Sequence, residues 1–219
     1  MTGRIPSLKY HADQLTRVWQ SASLLLDYPT EQLTNQLDLF DQIAASLPPD
    51  LGGPLAATLF QMRTAPLSTL QSEYVETFDN RRRGCMFLTY FSNGETRKRG
   101  LALLRIKQVY TKAGLNMRED ELPDHLCVVL EFAAITDQRA GLKILLDNRA
   151  GLELLRLHLT EINSPWAGAL QAVCKTLPAL KGKENEAIQR LAAEGPPDEE
   201  VGLKPYGAAP MTSTPGGMT

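Results

Sequence analysis

The chain has 219 residues, 43% hydrophobic and 22% charged, with a formal net charge of −2. That is enough apolar material for one core, and the near-neutral total argues against a molecule committed as a whole to nucleic acid or an anionic membrane. No run of about 18 apolar residues is present to span a bilayer, the opening "MTGRIPSLKYHADQL" lacks the apolar centre of a secretory signal, and three dispersed cysteines without a C-x-x-C fit a reducing compartment better than a disulfide or zinc framework.

Helical spacing dominates in chain order. Leu15, Val18, Trp19, Ala22, Leu25 and Leu26 mark one face of a first helix, which "DYP" ends because Pro29 disfavours continuation. Thr30 suits an N-cap, and Leu33, Leu37, Phe40, Ala44 and Leu47 predict one helix behind it. "PPDLGGP" is expected to break the chain. Short helices then carry Leu55, Leu59 and Met62, and next Leu67, Leu70, Tyr74 and Phe78.

A long helix is expected from about Thr96 to Ala113, closed by Gly114 in the left-handed conformation. Pro123 is expected in a first helical turn, with Asp124 favoured there by the helix dipole and "DHLCVVLEFAAIT" continuing from it. Gly141 weakens the following helix without breaking it, and "GLELLRLHLTEI" repeats the pattern. Ser164-Pro165 reads as an N-cap and first helical residue, and a last helix lies around Glu184 to Ala193. Period-two alternation is scarce, so the expected fold is all-α, a single compact domain of about nine helices over residues 1–194. Residues 195–219, rich in Gly and Pro, are expected to form a disordered tail.

The small net charge hides two patches. Between Arg81 and Lys107 there are eight Lys or Arg and one Glu, net +7; between Leu115 and Asp137 there are six acids and one Arg, net −5. A nucleic-acid-binding regulator would use the Arg81–Lys107 patch, with Phe87, Tyr90 and Phe91 for stacking. Against it stand the total charge and the i, i+3, i+4 spacing of those aromatics, which reads as a packed helix face. "SNGETRKRG" lacks the P-loop pattern, G-x-S-x-G is absent, and neither "HLCVVLE" nor "LHLTEI" has the H-E-x-x-H metal spacing. Cys127 and Cys174 fall in apolar helical runs and are expected to be buried and inert. The residues themselves leave His125 either neutral or charged by neighbours such as Glu121.

Residues 72 to 134, with "FDNRRR", "LTYFSNGETRKRG" and "ELPDHLCVVLEF", closely resemble the central region of the NarJ-type nitrate reductase assembly chaperones, within the TorD-like group of helical chaperones for molybdenum enzymes. "WQSASLLLDYP" resembles the family's opening helix, and the likeness extends over about residues 15 to 165. Cys127 stands where the family run has proline. The resemblance implies a cytoplasmic, non-catalytic chaperone with no stably bound cofactor or metal and no direct membrane insertion. Its implied partner is the apo catalytic α subunit of respiratory nitrate reductase, chiefly the N-terminal segment. That subunit would be kept competent for insertion of the molybdenum cofactor and an iron–sulfur cluster before membrane docking. A different molybdoenzyme as client is the alternative within the group.

Asp124 and His125, carried over from the E-x-P-D-H pattern, are the expected polar contacts to the client peptide. Tyr28, Phe87, Tyr90, Leu101 and Leu104 are expected as apolar or aromatic wall of a groove, and Arg97, Arg99 and Arg105 as partners of acidic client groups. Glu131 is the alternative partner for one of those arginines within the fold.

Overall fold

In the computed structural model, residues 8–118 and 121–194 are described. Among them are twelve α-helices, one π-helical turn and one 3-10 turn, with no β-strand. The expected tail at 195–219 lies outside the described residues.

Helix α1 (Ala12–Leu25) buries the expected stripe, with Trp19 wholly inaccessible. The single helix expected after Thr30 is two, α2 (Glu31–Thr34) and α3 (Leu37–Ala45). Thr30 caps α2, its Oγ1 accepting from the Leu33 N–H at 3.2 Å. Leu33 and Leu37 are buried on either side of the break, so the apolar spacing runs across it and conceals it in the sequence.

"PPDLGGP" does not break the chain: α4 runs Pro49–Thr64 straight through it. Pro49 takes the first helical position, where no N–H is needed. Gly52 has a packing reason, since a Cβ there would sit 2.2 Å from the Ala44 carbonyl oxygen; its bareness lets α4 cross close to α3.

Helix α5 (Leu67–Tyr74) leads into the π-helical turn Val75–Asp79, which buries Thr77 and Phe78, and the 3-10 turn Arg82–Gly84 follows. After α6 (Tyr90–Asn93) comes α7 (Arg97–Lys112), with Gly114 at φ 84° just beyond it, as expected of a helix end. The remaining helices are α8 (Leu126–Ile135), α9 (Gln138–Asp147), α10 (Arg149–Glu161), α11 (Ala167–Thr176) and α12 (Gly182–Glu194). Helix α11 starts two residues later than Ser164-Pro165 suggested, after Trp166.

Helix α1 lies against α8 and α11; α4 packs on α11 and α3, α9 on α8, and α10 on α11 and α12. Trp166 is as deeply buried as Trp19. The Trp19 Nε1–H donates to Thr176 Oγ1 at 2.8 Å, joining residues 157 apart in sequence. Thr58 Oγ1 accepts from the Ala169 N–H at 2.9 Å and pins α4 to the start of α11.

One ionic cluster is internal to this packing. Glu153 binds Arg149 and Arg156, each at 2.6 Å, and the Arg149 and Glu153 side chains are 8% and 4% exposed. Removing one member of a buried pair leaves an uncompensated charge. Glu153→Ala is therefore expected to cost about 3–5 kcal/mol, whereas Asp147→Ala, which removes the exposed Lys143–Asp147 pair, should cost less than about 1 kcal/mol. Urea unfolding of both variants checks the contrast.

Candidate client-binding site

The site grows from a contact between two segments distant in sequence. Residues 86–89 run antiparallel to 124–126, with Phe87 opposite His125. The Leu88 N–H donates to the Asp124 carbonyl at 3.0 Å, and the Leu126 N–H donates to the Met86 carbonyl at 2.9 Å. Asp124 locks the pair from below: its Oδ2 accepts from the Thr89 N–H at 3.1 Å and from the Thr89 hydroxyl at 2.5 Å. Pro123 is held from the other side, its carbonyl accepting the Tyr110 hydroxyl at 2.8 Å. Helix α8 therefore begins only at Leu126, and Pro123 and Asp124 precede it rather than occupying its first turn.

The Phe87 and His125 rings meet edge to face, with centroids 5.3 Å apart. They form a ridge between two grooves, since both residues line each groove. The first, about 470 Å³, has Leu24, Leu122 and Val128 among its apolar walls and, among the described residues, Asp27, Glu121 and Glu131 as its acids, with no Lys or Arg. The second, about 370 Å³, lies over Tyr74, Phe78, Cys85 and Tyr90, with Asp79, Glu95, Arg81 and Arg82 along it. The pair offers apolar surface edged mostly by carboxylates.

Of the residues expected at a client site, Phe87, Tyr90 and His125 come together here. Tyr28 is exposed beside them, its ring 5.4 Å from that of Tyr74. Phe87 does not share a helix face with Tyr90 and Phe91; it precedes α6, and of the three only Phe91 is buried. Asp124 has no exposed surface, and its Oδ1 lacks a hydrogen-bond partner among the described residues.

Arg99 is tucked in, its side chain 11% exposed, bonded to Glu95 at 2.6 Å with its guanidinium 5.5 Å from the Phe87 ring and 6.0 Å from that of Tyr90. Leu101, Leu104, Arg97 and Arg105 lie elsewhere, exposed on the outer side of α7 and lining neither groove. Glu131 faces the first groove rather than pairing with Arg97, Arg99 or Arg105. Cys127 and Cys174 are buried, and burial raises both thiols above their ordinary range, as expected of inert groups.

Leu24, Asp27 and Thr89 had not been singled out. Leu24 could have been found as the one leucine of "SLLLDYP" off the buried stripe: it is 44% exposed between fully buried neighbours. Thr89 carried no such signal, because its partner Asp124 lies 35 residues away.

Comparison with known proteins bears on the same region. Residues 44–172, more than half of the chain, match the model of the family described as nitrate reductase delta subunit. The chain belongs to that family. It is 34% identical over 148 residues to the nitrate reductase molybdenum cofactor assembly chaperone NarJ of Escherichia coli strain K12, covering 66% of this chain and 63% of that protein. It is 38% identical over 159 residues to the nitrate reductase-like protein NarX of Mycobacterium tuberculosis, covering 73% of this chain but 24% of NarX. The chain thus spans under two thirds of the length of these relatives. The crystal structure of a redox enzyme maturation protein from Archaeoglobus fulgidus shares the fold with a TM-score of 0.53 at 24% identity, over 79% of this chain and 97% of that one.

Among the described residues, no group of three His, Cys, Asp or Glu is placed to hold a metal ion. No helix among them is long and apolar enough to cross a membrane.

Two measurements test the ridge. Thr89→Val keeps the shape and removes the hydroxyl donor to a buried carboxylate, so it should cost about 1.5–3 kcal/mol in a urea melt. The second concerns His125, whose pKa burial lowers from its ordinary value against the opposing pull of Asp27, Asp124 and Asp79. The unfolded chain then takes up this proton at higher pH than the folded one, so stability falls as pH drops below about 6.5. His158, also lowered by burial, acts in the same direction. His125→Gln should remove its own share of that loss, seen as a smaller drop in urea midpoint between pH ~7 and ~5.5 than in the parent.

Proposed function

We propose that this protein is a cytoplasmic assembly chaperone, not an enzyme, for the catalytic α subunit of a respiratory nitrate reductase. On this reading it binds the apo subunit at its N-terminal segment and keeps it competent for molybdenum cofactor and iron–sulfur cluster insertion before membrane docking. The name of the E. coli relative supports the role in kind. The observation that carries the site is the divided groove, apolar and edged mostly by carboxylates, whose ridge of Phe87 and His125 lies inside the matched region.

Such a groove suits an amphipathic peptide helix whose apolar side chains bury against Leu24, Leu122 and Val128 while its cations meet Asp27, Glu121 and Glu131. His125 and Phe87 would divide the peptide's contacts between the two halves. Asp124 acts through Thr89, setting the height of the ridge rather than touching the client. Arg99 holds the Phe87 and Tyr90 rings in place, so an acidic group on the client is left to Arg97 and Arg105 on the outer side of α7. The cofactor is cargo of the client in this scheme, with no resident site on the chaperone.

A nucleic-acid regulator is less favoured. Arg81, Arg83 and Arg99, three of the basic residues it would use, are engaged with Glu76, Glu161 and Glu95.

The test is calorimetric titration of the full chain with a synthetic peptide copying the N-terminal segment of the nitrate reductase catalytic subunit from the same genome. Leu24→Asp and Leu122→Asp, both at exposed positions, should weaken binding by about tenfold or more at unchanged Tm, as expected for apolar anchors at the centre of an interface. Unaltered affinity in both variants would overturn the placement. Selective binding of another molybdoenzyme's segment would change the client and keep the mechanism.

A further inference from the structure

Helix α7 is poorly covered for its sixteen residues, with only Ile106 and Tyr110 buried. Its opposite face carries Leu101 and Leu104, 58% and 52% exposed and one turn apart. Arg97, Lys98, Arg105, Lys107 and Lys112 are exposed around them, with no acid anywhere in the helix. None of these five makes an ion pair among the described residues, in contrast to Arg99 on the inner side, which is bound to Glu95.

This face is a basic amphipathic helix, the very chemistry that the groove of Leu24, Leu122 and Val128 with Asp27, Glu121 and Glu131 is built to receive. The two surfaces cannot meet within one molecule. The Tyr110 hydroxyl bond to Pro123, the Tyr110–Phe132 ring contact at 4.4 Å and the inward Arg99 fix α7 with its leucines turned away from the body.

We infer that α7 of one copy docks in the acidic groove of a second copy. Charge complementarity selects this occupant: among the described residues, cations without ion-pair partners on one face, carboxylates without cations in the other, and exposed apolar side chains at the centre of both. An arrangement in which each copy offers its helix to the other's groove is self-complementary about a two-fold axis and closes as a dimer. An anionic membrane or nucleic acid could use the charge of α7, but neither accounts for the matching groove on the same chain. The competition that follows rests on the function proposed above: a client helix and the partner's α7 seek one groove, so the free chaperone covers its own binding surface and client binding releases the monomer.

The experiment is sedimentation equilibrium of the full chain from about 1 to 100 μM. The expected result is a monomer–dimer equilibrium that weakens at least about tenfold as salt shrinks the screening length from about 10 Å at 0.1 M to about 3 Å at 1 M. Leu101→Asp/Leu104→Asp damages only the helix face, and Glu121→Lys/Glu131→Lys only the groove; all four positions are exposed, so both variants should fold, and each alone should be monomeric. Mixed together they retain one intact helix and one intact groove, and should form a one-to-one pair. A parent chain that stays monomeric throughout, or a dimer that survives in both variants, overturns the inference. So does a monomer that instead floats with phosphatidylglycerol vesicles or binds duplex DNA through α7. Titration with the client peptide separates this result from the proposed function: peptide binding without dimerisation sinks only the dimer, and dimerisation without peptide binding sinks only the client assignment.

Discussion

A buried carboxylate holding a threonine 35 residues earlier in the chain organises the candidate site. Asp124 takes both the backbone N–H and the hydroxyl of Thr89, and two backbone hydrogen bonds beside it make the short antiparallel contact from which Phe87 and His125 project. Ionised acceptors form the stronger class of hydrogen bond, more so where water is excluded. The ridge, the two grooves beside it, the start of α8 and the position of α7 through Tyr110 and Pro123 all follow from that lock. The proposed binding surface is therefore not a depression left between helices. It is set by a non-helical junction in an otherwise helical protein.

This explains how much the sequence could disclose. Helices that bury one stripe are written locally, and α1, α5, α7 and α8 lie where the spacing of Leu15 to Leu26, Leu67 to Phe78, Thr96 to Ala113 and Leu126 to Ala133 placed them. Features that depend on a distant partner were hidden. The LGGP stretch reads as a breaker until α3 is seen passing against Gly52. Pro123 and Asp124 read as a helix start until Thr89 claims the carboxylate. His125 reads as neutral or charged because burial, the factor that lowers its pKa, leaves no trace in neighbouring letters. The motif resemblance covers Phe87 and His125, while the carboxylates facing the groove come from the turn after α1, from α8 and from the turn before α8, which no single stretch of sequence displays together.

The charge pattern also gains a spatial meaning. The basic and acidic blocks do not simply neutralise each other across the fold. Arg81 and Arg99 pair with near neighbours in sequence and Arg83 with Glu161 of α10, whereas the cations on the outer side of α7 stay in solvent and the acids collect around apolar walls. A net charge near zero is thus compatible with strongly directional encounter, because approach is steered by patches rather than by the total.

The bond between Trp19 and Thr176 has a consequence for the life of the chain itself. Helix α1 packs on α8 and α11, both made long after it leaves the ribosome. At synthesis rates of about 5–20 residues per second, its apolar stripe waits several seconds for these two partners. Contacts this distant in sequence also slow folding once the chain is complete. The first groove needs Leu24 from the end of α1, Asp27 just beyond it, and Val128 and Glu131 from α8, so on the proposed function a half-made chain could not yet receive a client. On the proposed function, a protein that would shelter another's unfinished polypeptide spends its own synthesis with α1 bare, in need of shelter itself.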